Sequence, residues 1–321
     1  MLFRSRTAFV LGDNGQPCQE IRQELRLERR YQEADEEEIA DLARQFVRPF
    51  DLARPPLFRT QLLQTGPERF HLLLDLHHIA CDGVSQGILL RELNILYNGG
   101  TLPPAPLQYK DYAFWLEQQR ETAAVLEQGR FWHERFSEPQ PCELPLDHSR
   151  PAAACFSGAD YRWVLERNLY RDLTSLATTC GYTLHSVLLA GLHLLLSRYC
   201  RQEDIITGTS IAGRLLDEVR DMVGMFVATV PVRSFPRPGI SFRELVAEVG
   251  QTMLETHQNL AYPLERLYES LGLRRGAGRH PLFDVNFVLQ NMEQELITAE
   301  GLICERHPIP TGTCKFDLSF A

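Results

Sequence analysis

The stretch "LDLHHIACDGVS", Leu74–Ser85, holds the residue types that move protons. His77 and His78 stand side by side at the end of a leucine-rich run, and Asp82-Gly83 follows. Histidine titrates near neutral pH and suits general acid–base work. On a strand, successive side chains alternate faces. Phe70, Leu72, Leu74, Leu76 and His78 then share one face, and His71, Leu73, Asp75 and His77 share the other. The two histidines therefore point apart and are badly placed to grip one metal together. The polar face has residues of ligating type, yet it also reads as the wet face of a sheet.

His78 closes the leucine face where the strand gives way to a loop. Two readings stand: a structural histidine bonded to backbone, or a catalytic one beside an apolar wall that excludes water. Asp82 suits either an ion pair that fixes the loop or a cap on the next helix. Gly83 allows a tight turn and close approach of a ligand to the backbone.

The elements that must hold these residues follow from patterning. "RTAFVLGDNGQPCQEI" reads as two strands around a turn at Asp13-Asn14-Gly15. "DEEEIADLARQFV" reads as an amphipathic helix. Residues 57–78 read as a hairpin turning at Gly66-Pro67, and a helix from about Ser85 ends at Asn98-Gly99-Gly100. Residues from Tyr109 to Phe136 read as helical. The aperiodic segment Pro139–Asp160, rich in Pro, Ala and Ser, reads as a joint. After it come a strand "YRWVLE", a helix "RDLTSLATTCGY", and an almost wholly apolar helix "LHSVLLAGLHLLLSRYC" that must be buried. "EDIITGTSIAG", "GMFVATVPVR" and "PLFDVNFVLQ" read as strands. Two α/β lobes are the economical architecture for 321 residues.

Composition narrows the function. The chain is 44% hydrophobic and 23% charged with a net charge of -9, an ordinary globular make-up that is poor for general nucleic-acid binding. Arg22, Arg26, Arg29 and Arg30 read as a solvated face, or as a docking patch for an acidic partner. The eight cysteines match no zinc spacing, and reduced thiols in a cytoplasmic protein are expected. No signal peptide and no membrane span is legible. "GTSIAG" misses the spacing of a nucleophile elbow, and Walker A and dinucleotide-binding glycine patterns are absent.

"HHIACDG" resembles the His-His-x-x-x-Asp-Gly motif of nonribosomal peptide synthetase condensation domains, relatives of chloramphenicol acetyltransferase. Further segments resemble that family in its own order: "YKDYAFW", "LPLDHSRPA", "GTSIAGR", "MVGMFVATVPVR", "HQNLAYPLERL" and "RGAGRHPLFDVNFVLQN". Departures are Ala228 for Asn, Leu264 for Phe, and Gly276, Gly278 and His280 for Asp, Ser and Asn. "SRTAF", Ser5 to Phe9, matches only the tail of an early motif.

The resemblance implies an α/β (α+β) fold of two chloramphenicol-acetyltransferase-like lobes with a tunnel and active site between them. The N-terminal lobe, 1–145, would carry the histidines. The C-terminal lobe, 146–321, would be incomplete at its end. The chain would be an internal piece of a multidomain synthetase, with an apolar edge at Phe316–Phe320 that favours aggregation.

The implied activity is amide formation between a donor acyl or peptidyl thioester and an acceptor aminoacyl thioester. Both would ride on phosphopantetheine arms of carrier domains, next to an adenylation domain. The domain itself would bind no cofactor or metal, no nucleic acid and no membrane. His78 would carry the chemistry, and the Gly83 N–H is the candidate oxyanion donor. His77 and Asp82 would be structural, with Arg6 standing in as the arginine partner of Asp82. Ser85, Trp132, Gly208 and Thr209 are candidates for lining the tunnel or bridging the lobes, and so are Arg214, Gly224, Phe226 and Arg233. Competing functions are a non-catalytic module that recruits carriers or partner enzymes, and a coenzyme A-dependent acyltransferase of the same fold. An epimerase reading is weaker. A cyclising member would carry an Asp-based motif in place of the histidines.

Overall fold

The structure is a computed structural model and describes residues 6–25, 27–104, 107–151, 155–273, 279–290, 295–307, 309 and 312–321. Ser5, Arg26, Ala152, Gly276 and Gly278, singled out above, lie outside these residues. The chain divides into two compact units. Unit 1 is Met1–Leu116, Arg214–Val227 and Met292–Thr311, and unit 2 is Glu117–Gly213, Ala228–Asn291 and Gly312–Ala321.

Unit 1 starts with β1 (Thr7–Leu11) and β2 (Pro17–Ile21), paired antiparallel around Gly15 at φ 74°. Glycine adopts that left-handed conformation without steric cost. β3 (Arg29–Glu33) lies parallel to β4 (Phe58–Gly66), and β4 lies antiparallel to β5 (Arg69–Leu76). The β4–β5 hairpin turns at Pro67-Glu68, one residue later than the sequence suggests. α1 (Ile39–Phe46) covers one face of this sheet, packing Ala43 and Phe46 on Leu63 and Leu73.

This inverts an expectation. Phe70, Leu72 and Leu74 are 47%, 44% and 44% exposed, while Leu73 is 7% exposed. The leucine-rich face is the more exposed one among the described residues, and α1 covers the other. Alternation identifies two faces; the placement of α1 decides which one is dry. α2 (Gly83–Tyr97) and α3 (Tyr109–Gln119) follow.

Unit 2 holds α4 (Ala123–Arg135), α5 (Arg167–Cys180), α6 (Leu184–Cys200), α7 (Phe242–Gln258) and α8 (Leu264–Ser270). Its sheet has the order β7-β6-β8-β9, built from β6 (Ile205–Ile211), β7 (Ala228–Ser234), β8 (Val285–Phe287) and β9 (Leu318–Phe320). β6 and β7 are antiparallel, and β8 is parallel to both its neighbours. α6 is buried as its composition requires, with Leu189 and Ala190 fully enclosed. No single helix among the described residues is long and apolar enough to cross a membrane.

Two expectations need correction. The helix read over residues 109–136 is two helices, because Thr122 caps α4 by accepting from Val125 N–H. "YRWVLE" pairs with no strand among the described residues and is irregular, with Tyr161 91% and Val164 85% exposed. The first compact unit runs to Leu116 and resumes at Arg214. The Pro-rich segment belongs to unit 2, where Cys142 and Leu144 sit in or against the core. Its composition signals missing periodicity, which a well-packed irregular segment shares with a joint.

Candidate active site

The loop after β5 is shaped by its own side chains. His77 ends the extended run, and its Nδ1 accepts from Ile79 N–H at 3.1 Å, starting a 3-10 turn over His78–Ala80. The His77 ring meets Phe50 edge-on at 5.9 Å, and the Arg59 guanidinium lies over Phe50 at 3.7 Å. With its acceptor nitrogen engaged by the backbone, His77 acts as a brace for the turn. His78, one residue on, is exposed.

Asp82 ends the turn and is 1% exposed. Its Oδ1 accepts from Ser85 N–H at 2.8 Å, capping α2. Its Oδ2 accepts from Phe226 N–H at 3.0 Å. Arg214 Nη2 donates to Oδ1 at 3.1 Å and to Ser85 Oγ at 3.0 Å. Arg214 also donates to the carbonyls of Val219 and Met222, and its guanidinium lies 4.2 Å over the Phe226 ring.

Ser85, fully buried, donates to Gly224 O and accepts from Gly224 N–H, each at 2.9 Å. Asp82 N–H donates to the same carbonyl. Phe226 packs with Val219 and Met222, with Tyr109 and Tyr112 against them. The loop is thus bolted to the segment Arg214–Val227 of the same unit by a buried charge pair, each partner of which makes further hydrogen bonds, while Arg214 Nε has no acceptor among the described residues.

Gly83 opens α2 and is exposed. Its N–H belongs to the first turn, where helical N–H groups lack intrahelical acceptors and the helix dipole favours negative charge. That is the property an oxyanion donor needs. An open cleft of about 460 Å³ is lined by Val47, Arg48, Pro49, Phe50, Asp75, Leu76, His77 and His78.

Arg6 does not play the part expected of it. It donates to Gln23 O, and the arginine on Asp82 is Arg214. The polar face of β5 is no ligand set either: Asp75 faces Arg59 at 3.5 Å and His71 faces Glu36 at 3.4 Å. Burial raises the Asp75 carboxyl pKa, and Arg59 opposes the shift. Among the described residues no group of three His, Cys, Asp or Glu side chains could hold a metal ion.

Four other candidates lie inside unit 2. Trp132 is 1% exposed and donates Nε1–H to Asn259 O. Gly208 sits in β6 beneath the Phe283 ring. Thr209 is fully buried and donates to Phe287 O. Arg233 is 8% exposed, forks onto Asp204 and donates to Arg135 O and Ser137 O. Their partners within unit 2 are core groups.

Sequence reasoning missed Arg59 and Phe50, which support His77. A signal existed: the hairpin register sets Arg59 opposite Asp75, and a charged residue alternating with Leu63 on a covered face demands a partner.

Residues 5–321 match the condensation-domain family. The chain is 40% identical over 306 residues to tyrocidine synthase 3 of Brevibacillus parabrevis, covering 95% of this chain and 5% of that protein. It is 38% identical over 317 residues to gramicidin S synthase 2 of Aneurinibacillus migulanus, covering 98% of this chain and 7% of that protein. Among solved structures it is similar to the X-domain from teicoplanin biosynthesis, with a TM-score of 0.85 and 27% identity over 99% of this chain and 74% of that one. The same X-domain is also known in complex with OxyB. The chain therefore belongs to the condensation-domain family, the peptide-bond-forming domains of nonribosomal peptide synthetases. It spans only a small part of the curated relatives it matches.

Proposed function

We propose that the chain joins a donor acyl or peptidyl thioester to the amine of an acceptor aminoacyl thioester, both delivered on phosphopantetheine arms of carrier domains. The observation that carries this reading is the buried Asp82–Arg214–Ser85–Gly224 tie, which holds a loop whose exposed residues are His78 and Gly83. Rigid presentation is what the chemistry needs. An α-amine has a pKa of about 8, so roughly a tenth of it is neutral at pH 7 without help. The amine nitrogen attacks the thioester carbon, and the oxyanion that forms is met by the Gly83 N–H. His78 holds the amine in line and takes its proton. Collapse breaks the C–S bond, and the thiolate leaves with that proton. Positioning supplies much of the acceleration.

Carrier domains, a neighbouring adenylation domain and a cytoplasmic setting belong to this proposal. In a chain joined to its carriers, His78→Ala should abolish amide formation and leave the melting temperature unchanged, because His78 is exposed. Near-normal turnover with loaded carriers would overturn the assignment. Free coenzyme A thioesters should fail to replace the carriers.

A second reading is favoured by one observation, the likeness to an X-domain that forms a complex with OxyB. On that reading the chain recruits a partner enzyme and makes no bond. Loaded carriers that yield no amide with the unaltered chain, together with capture of a partner insensitive to His78→Ala, would support it.

A further inference from the structure

Two thiols in unit 2, outside the candidate active site, are placed to react with each other. Cys142 lies in the irregular segment after α4 and is 1% exposed. Cys200 is the last residue of α6 and is half-buried. The chain separates them by 58 residues, yet their Sγ atoms stand 2.8 Å apart, closer than non-bonded sulfurs normally sit and not far from the bonded length of about 2.05 Å.

Neighbouring contacts hold the two strands of chain together. Glu143 N–H donates to Gln202 Oε1 at 2.8 Å. Leu144 packs on the core beside Cys142. α6 stops sharply at Arg201, which takes a left-handed conformation at φ 54°. The approach of the sulfurs is therefore fixed from both sides. Both cysteines are reduced in the structure.

We propose that Cys142 and Cys200 form a redox-responsive dithiol that closes to a disulfide when the protein meets a peroxide. The half-buried Cys200 sulfur attacks hydrogen peroxide and becomes a sulfenic acid, releasing one water. The Cys142 thiol then attacks the Cys200 sulfur, the S–O bond breaks, and a second water leaves. The two thiols lose two electrons and two protons in all, and the peroxide takes them up. The disulfide ties the segment after α4 to the C-terminal end of α6 and closes a long loop, so it constrains the unfolded chain and raises stability. The reducing interior of a cell would keep the pair open at rest.

The test treats the full chain with hydrogen peroxide at a small molar excess, followed by alkylation and peptide mapping. The expected product is one cross-linked peptide pair holding Cys142 and Cys200, two mass units lighter than the separate peptides. Dithiothreitol should reverse it, and the melting temperature should rise by several degrees on oxidation. Cys200→Ser should abolish the cross-link and leave Cys142 alkylatable after unfolding. Cys142→Ala should let Cys200 run on to sulfinic acid at unchanged peroxide. Cys200→Ser sits at a helix end and keeps the test valid if the buried variant folds poorly. The proposal is overturned if both cysteines of the peroxide-treated protein are still alkylated once it is unfolded, or if Cys200 reaches sulfinic acid with Cys142 present and no cross-link forms.

Discussion

Arg214 Nη2 lies 3.1 Å from Asp82 Oδ1, although 132 residues separate the two in sequence. The two side chains are 7% and 2% exposed. Asp82 also caps α2, so one carboxylate fixes both the start of a helix and the far segment that braces it.

Arg214→Met leaves the Asp82 carboxylate buried without its cation. Losing one partner of a buried pair costs about 3–5 kcal/mol, so the urea midpoint should fall markedly and activity with it. Asp82→Asn should act in the same direction and less strongly, because its carboxamide oxygen still accepts from Ser85 N–H and Arg214 keeps the carbonyls of Val219 and Met222. An Asp82→Asn protein with an unchanged midpoint and lost turnover would place Asp82 in the chemical step instead.

His77→Ala removes the acceptor of Ile79 N–H, a hydrogen bond worth about 1 kcal/mol. Turnover should fall by about tenfold as the turn carrying His78 loosens. His77→Asn should recover most of the rate, since an asparagine oxygen can accept from the N–H two residues on. If Asn is no better than Ala, the ring does more than hold the turn.

Acid should weaken unit 2. Burial lowers the pKa of His193 to about 3 and of His185 to about 4. His193 is enclosed between Ser234 Oγ and Thr207 Oγ1, and His185 Nε2 meets Thr209 Oγ1. The unfolded chain takes up protons at these positions below pH 6.5 while the folded chain does not. Stability is whole above that pH and declines as pH drops toward 4 and then 3. At pH 5 the loss is roughly 2 kcal/mol per histidine. Urea midpoints between pH 7 and 5 test this. His193→Gln should flatten the slope.

Gly208→Ala would drive a methyl group into the ring of Phe283, which is fully buried. Overpacking of that kind costs about 1–3 kcal/mol. Gly191→Ala, in the middle of α6 with nothing within 4 Å of the new carbon, should instead gain about 0.5–1 kcal/mol. The two urea midpoints should move in opposite directions.

Local features were legible where the cause is local. The Asp13-Asn14-Gly15 turn, the cap at Asp82 and the burial of α6 follow from residues a few positions apart. The partner of Asp82 did not follow, because an ion pair across such a separation leaves no periodic trace. The resemblance marked Arg214 without giving its role and pointed to Arg6 for the pairing. "YRWVLE" alternates like a strand, yet alternation fixes only how a strand would sit if another offered it a ladder. Trp132, Thr209 and Arg233 stood out by type or motif. Their burial depends on unit 2 closing over them, which no short window of sequence records.

The segment that braces the histidine loop returns to unit 1 only at Arg214. On a ribosome adding about 5–20 residues each second, Asp82 emerges roughly 7–26 s before its cation, counting the 132 residues between them. Throughout that interval β3, β4, β5 and α1 can assemble, but the loop holding His78 lacks its tie to the segment Arg214–Val227. The nascent first unit must wait, half-built, for chain not yet translated, and a pause in synthesis before residue 214 would lengthen its exposure to proteases and chaperones.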